Sequence, residues 1–154
     1  MPWSDVRRRA LTSSLPMTLR VYRKLSSAMV PLAPALIRQR LKQGKEDPAR
    51  VGERRGVSAD VRPNGPLVWI HGASVGEVLA AAGLIERLRA LNLQILLTSG
   101  TVTSAAIVAR RFPADIIHQY VPYDSPRYVA RFLDHWRPSL ALFIESDLWP
   151  NLIL

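Results

Sequence analysis

The sequence predicts an α/β protein: a parallel sheet with helices on both faces, preceded by a basic, amphipathic helical leader. Three observations carry this reading. From Pro66 onward, short apolar runs alternate with helix-length stretches, the pattern of successive βαβ units. The charge is lopsided: residues 1–62 hold 14 Lys and Arg against 5 Asp and Glu, whereas residues 63–154 hold 7 of each. Finally, 154 residues, 48% of them hydrophobic and none of them cysteine, suit one core-bearing domain without disulfides.

These numbers also exclude. With 21% charged residues and a full apolar complement, the chain is not a disordered tail. The absence of cysteine removes a disulfide scaffold, a Cys-ligated zinc site and thiol catalysis. The net charge of +9 belongs wholly to the first 62 residues. The remainder is neutral, so no nucleic-acid surface is expected. A cationic leader points instead to an anionic membrane surface.

The leader, residues 1–45, does not read as a secretory signal, because Arg20, Arg23 and Lys24 interrupt its apolar pattern. Its best apolar run, residues 28–37, contains Pro31 and Pro34 and falls short of the ~20 residues a bilayer requires. Leu11, Leu15, Leu19, Tyr22 and Met29 fall near helical spacing. Leu36, Ile37 and Leu41 continue the pattern beside Arg38, Arg40, Lys42 and Lys45. Such a helix either lies in the headgroup plane or packs on its own domain. Residues 46–65 mix Gly, Pro and charge, and read as a linker.

The folded part, residues 66–154, opens with a strand at 67–71, an apolar run between Pro66 and Gly72. A helix over 78–91, a strand at 93–98 and a helix over 103–112 with Thr103 as its cap follow. A strand at 116–121, a helix over 127–136 and a strand at 140–144 complete the pattern. Trp136 and Trp149 read as core or interface residues.

Parallel sheets bind ligands beyond the carboxyl ends of their strands. The loops there carry Ser74, Gly76 and Glu77; then Gly100, Thr101 and Thr103; then Tyr123 and Asp124; then Glu145 and Asp147. Four of the seven acids of the neutral part lie at these strand ends. A carboxylate placed there suits general-base chemistry. Glu77 suits dipole stabilisation in a first helical turn equally well, and Asp124, before Ser125-Pro126, suits a helix cap. Gly72-Ala73-Ser74-Val75-Gly76 satisfies a nucleophile-elbow pattern. A serine hydrolase would also need a partner histidine, and only His118, in a predicted strand, and His135, on a helix, follow. The same turn is neither a P-loop nor a three-glycine dinucleotide fingerprint, and His71, His118 and His135 lack metal-ligand spacing.

Taken in order, residues 65–77, the threonine-rich turn 98–103, Pro122-Tyr123-Asp124, Arg137-Pro138 and Glu145-Ser146-Asp147-Leu148-Trp149-Pro150-Asn151 resemble the 3-deoxy-D-manno-octulosonic acid (Kdo) transferases. The similarity covers roughly residues 50–154, and the basic leader is similar to that family's membrane-associating N-terminus. The resemblance implies the Rossmann-like N-terminal half of a glycosyltransferase-B fold. That half binds the lipid acceptor, and a second half binds the donor CMP-Kdo. The implied reaction is inverting transfer of Kdo to lipid A precursor in lipopolysaccharide core biosynthesis. It takes place at the cytoplasmic face of the inner membrane and uses no metal or other cofactor.

By this resemblance Glu77 stands in the place of the general base and Glu145 in that of an acid supporting the transition state. Ser74, Gly76, Thr101, Thr103, Asp124 and Asp147 form the candidate substrate-binding set. Ser146 and Asp147 depart from a usual Thr and Glu; Gly72 replaces a common Ala, which is expected to be harmless. The donor half would follow Leu154, so this chain alone is expected to dock on membranes and acceptor without turnover. Two alternatives remain at this point: a non-catalytic membrane- or partner-binding module, or a glycosyltransferase-B enzyme with another acceptor.

Overall fold

The structure, a computed structural model, describes residues 15–144 and 149–153. Helices α1 (Met17–Ala28) and α2 (Ala33–Lys42) lead into a 3-10 helix, Pro48–Arg55. Strand β1 (Leu67–His71) is followed by α3 (Val75–Ala80), α4 (Ala82–Ala90) and β2 (Gln94–Ser99). Then come α5 (Val102–Arg111), β3 (Ile117–Tyr120), α6 (Pro126–Trp136), β4 (Leu140–Phe143) and α7 (Pro150–Ile153).

The four strands form one parallel sheet in the order β3-β2-β1-β4. All five residues of β1 are buried, as a central strand covered on both faces requires. On one face Val78, Ala81, Ile85 and Val108, from α3 to α5, pack on Val68, Ile70, Ile95 and Leu97. On the other, Val129, Phe132 and Trp136 of α6 and Leu152 of α7 cover Leu67, Trp69 and Leu96. Trp69 meets Phe132 and Phe143 edge-on at centroid distances of 4.9 and 5.2 Å. Both buried indoles are satisfied: Trp69 Nε1 donates to Thr98 Oγ1 at 2.8 Å and Trp136 Nε1 to Gln119 Oε1 at 2.6 Å. The expected α/β class, with helices on both sheet faces, is therefore the one observed.

Several boundaries differ from expectation. The helix expected over 78–91 begins at Val75, because Ser74 caps it, and it is divided at Ala81 into α3 and α4. The cap of α5 is Thr101 and not Thr103: Thr101 Oγ1 accepts from Ser104 N at 3.0 Å. Trp136 is core, whereas Trp149 is exposed.

The larger difference concerns residues 46–65. The first part of this expected linker is a strap packed on β3 and α6. Asp47 caps its 3-10 helix by accepting from Ala49 N at 2.9 Å, and Gly56 ends it at φ 74°. A Cβ at Gly56 would lie 2.1 Å from Tyr128 O, so only glycine permits this approach. Arg50 pairs with Glu53 and Arg54 with Glu46 within the strap, and both arginines also donate to the body of the domain, at His118 O and Val121 O.

The leader packs on the domain along one side and leaves apolar residues exposed on the other. Tyr22 and Ser26 of α1 face the domain, and Ala33 and Ile37 of α2 are buried. Met17, Val21 and Leu25 of α1 and Met29 just after it form an exposed stripe, continued by Leu32 and Leu36. Tyr22, grouped by its spacing with the apolar residues, points inward, while Leu11 lies outside the described residues. Among the described residues no helix is long and apolar enough to cross a membrane.

Candidate functional site

The strand order reverses between β1 and β4. β1 leads to α3 on one sheet face, whereas α6 before β4 and Leu152 of α7 after it pack on the other, the kind of strand-order switch beside which open parallel sheets bind ligands. Ile144 N donates to His71 O at 2.8 Å, tying the ends of the two strands together. Glu145 and Asp147, which follow, lie outside the described residues.

Ser74 and Glu77, on the β1 side, form a reciprocal cap. Ser74 Oγ accepts from Glu77 N at 3.3 Å and donates to Glu77 Oε1 at 2.7 Å, while Ala73 N donates to Oε2 at 2.7 Å. One donor on each oxygen fixes the carboxylate and leaves further lone pairs open. Glu77 is half-buried, and Ser74 and Gly76 are exposed at the rim. The helix-capping and chemical readings of Glu77 are therefore compatible. With its hydroxyl engaged by a carboxylate, Ser74 lacks the histidine contact a serine nucleophile requires.

The neighbouring loop is held against this one backbone to backbone. Gly100 N donates to Ala73 O at 3.1 Å, and a Cβ on Gly100 would stand 2.9 Å from that oxygen. Thr101 and Thr103 sit exposed at the start of α5. The fold thus brings Ser74, Gly76, Glu77, Thr101 and Thr103 to adjoining loops at one sheet edge. Gly72 is less neutral than expected: a Cβ there would approach Val78 N to 3.1 Å.

Asp124 has a different occupation. Its carboxylate accepts from Tyr22 Oη at 2.7 Å, Asn151 N at 3.2 Å, Leu152 N at 3.1 Å and Asn151 Nδ2 at 3.1 Å. It therefore caps α7 and latches α1, while the cap position of α6 belongs to Ser125. Burial, together with the Asp124 carboxylate, pushes the Tyr22 hydroxyl up to about 12.

Residues 49–154 match the family model described as 3-Deoxy-D-manno-octulosonic-acid transferase (kdotransferase). The chain belongs to this family. It is 39% identical over 137 residues to a "Probable 3-deoxy-D-manno-octulosonic acid transferase, mitochondrial" of Arabidopsis thaliana, covering 88% of this chain and 31% of that one. Identity is also 39% over 137 residues with the 3-deoxy-D-manno-octulosonic acid transferase of Rickettsia bellii, covering 88% and 33% respectively. The Rickettsia typhi protein of the same name is 46% identical over 89 residues, covering 56% and 19%. The chain spans about a third of the length of the first two relatives. A four-stranded parallel sheet flanked by helices is consistent with one half of a glycosyltransferase-B fold.

This Kdo transferase family member also carries a network at the β2 and β3 ends that sequence reasoning missed. Arg54 is buried; its Nε donates to Glu46 Oε2 at 2.8 Å, and its remaining nitrogens donate to Val121 O at 3.1 Å and Gly100 O at 2.7 Å. Arg40 Nε donates to Glu46 Oε1 at 2.6 Å. Burial acts to raise the Glu46 carboxyl, but the two guanidiniums outweigh it and hold the group below its usual range. Arg50 and Arg54 stack over Tyr120 at 4.6 and 4.7 Å. Among the described residues no group of three or more His, Cys, Asp or Glu could hold a metal ion.

His118 sits inside this network. Its Nδ1 faces Arg50 Nη2, a donor, at 3.0 Å, so Nδ1 accepts and Nε2 carries the proton toward Ser99 Oγ at 2.9 Å. Burial, then Arg50 and Arg54, lower its pKa to about 3. A histidine kept neutral in the fold but titrating near 6.5 when unfolded contributes stability above pH 6.5. That contribution is lost as the pH falls toward 3. Denaturant melts of the chain should show a loss of at most about 2 kcal/mol from this group between pH 7 and 5. The loss should be absent in His118→Gln; equal slopes for both proteins would contradict the assignment.

Proposed function

We propose that this chain is the acceptor-binding half of an inverting glycosyltransferase that moves Kdo from CMP-Kdo to a lipid A precursor. The observation that carries the reading is the Glu77 carboxylate, fixed by Ala73 N and Ser74 Oγ beside the strand-order reversal. A sugar hydroxyl is a weak nucleophile. Glu77 takes its proton as the oxygen attacks the anomeric carbon and the bond to the CMP phosphate breaks. Attack from the face opposite the leaving group inverts that carbon. Glu145 supports the developing charge. Ser74, Gly76, Thr101, Thr103 and Asp147 contact substrate, while Asp124 acts by holding the chain that follows the acidic loop. The full-length enzyme should convert CMP-Kdo and lipid A precursor to the Kdo-bearing lipid. No product would refute the reading, and product with a different acceptor alone would favour another glycosyltransferase-B activity.

The leader brings this edge to its lipid. Met17 and Leu25 of α1 and Met29 just after it are 70%, 61% and 61% exposed, and Arg20 and Lys24 lie on exposed positions of α1. This suits peripheral seating on an anionic surface, which we assign to the cytoplasmic face of the inner membrane. Replacing Leu25 and Met29 with Glu should weaken flotation on vesicles containing anionic lipid by about tenfold or more. Flotation equal to that of the unaltered chain would refute the membrane face.

A further inference from the structure

An unbroken series of contacts runs from the strap to the Glu77 carboxylate. Glu46 and Arg54 have side chains only 1% and 3% exposed and are paired at 2.8 Å. Arg54 Nη2 donates to Gly100 O at 2.7 Å. Gly100 N donates to Ala73 O at 3.1 Å. Ala73 N in turn donates to Glu77 Oε2 at 2.7 Å. The closeness of Gly100 to Ala73, where a Cβ would stand 2.9 Å from the carbonyl oxygen, leaves little slack between the two loops.

We propose that Arg54 is a positioning residue for Glu77, setting through Gly100 and Ala73 where the carboxylate stands; this rests on Glu77 being the general base. Arg54 suits the task because a planar guanidinium holds several acceptors at once in fixed directions. Here it joins the ends of β2 and β3 through Gly100 O and Val121 O, while Glu46 balances its charge. Lysine would keep the charge beside Glu46 and lose the fork. The β1 turn would then be anchored less firmly, and Glu77 would lose part of its hold on the Ala73 N–H. A carboxylate with one donor fewer is held less firmly where the attacking hydroxyl must meet it.

The test is the full-length enzyme carrying Arg54→Lys, with Gly100→Ala as a second variant that disturbs the middle link and leaves the buried ion pair intact. For each variant kcat should fall by about ten- to a hundredfold, with KM for both substrates within about threefold. Exchange of the Ala73 amide should accelerate about tenfold while those of Trp69 and Ile70 stay protected. A fall in folded fraction alone would lower amplitude while the Ala73 amide of the folded protein stayed as protected as before, and that result, or an unchanged kcat, overturns the proposal. Glu77→Gln serves as control. If it is inactive while Arg54→Lys leaves kcat and the Ala73 amide as they were, the Arg54 assignment falls alone; if it turns over normally, both assignments fall.

Discussion

Glu77→Gln in the full-length enzyme is expected to lower kcat by about 10²- to 10⁴-fold, the range attributable to a positioned general base. The substitution is well matched to the question. Glutamine has the shape of glutamate, and its carbonyl oxygen still accepts one of the two bonds now made by Ala73 N and Ser74 Oγ. What it cannot do is take up a proton. The cap should weaken by about 1 kcal/mol, a shift of a few degrees in Tm. Glu77→Ala removes both bonds and confounds the two effects. Single-turnover transfer together with thermal unfolding of the same preparation separates chemistry from folding. Full activity in Glu77→Gln would show that the proton leaves by another route.

Some of this architecture is plain in the sequence, and the reason is local physics. The strand Leu67–His71 reads correctly because each of its positions is buried, which leaves an uninterrupted apolar run between two breakers. The Ser74–Glu77 cap goes unread, and the helix is expected only from Val78, although the Ser-x-x-Glu spacing is that of a capping box. The division at Ala81 is not legible, because residues 80–82 are three consecutive alanines, the best helix formers. Thr101 and Thr103 are equally good caps on paper, and the choice depends on which hydroxyl reaches Ser104 N. Asp124 was ambiguous for a similar reason. Its neighbours Ser125-Pro126 suggest the helix that follows, but its partners are Tyr22, 102 residues earlier, and Asn151, 27 residues later. The strap was least visible, since Arg50 meets His118 across 68 residues and Arg54 meets Gly100 across 46. Local composition carries no record of such pairings.

The strap also yields the largest stability effect expected. Glu46→Ala should destabilise the chain by about 3–5 kcal/mol, because it leaves the Arg54 guanidinium buried beside nothing that balances it. Asp115→Ala sets the scale. Its pairing with Arg89 is bidentate, at 2.8 and 2.9 Å, but the side chains are 62% and 34% exposed, and water takes over when the partner goes. That loss should stay below about 1 kcal/mol. The pH dependence separates the groups further. The Glu46 carboxyl is held below its usual range, so its contribution is complete above the unfolded pKa and disappears as the pH drops through the folded one. His118 begins to cost stability already below pH 6.5. Acid melts of Glu46→Ala should therefore retain the upper part of the decline and lack the lower. If Glu46→Ala cost no more than Asp115→Ala in denaturant melts, the buried pair would not be what seats the strap. The line of contacts from Arg54 to Glu77 would then have no anchor.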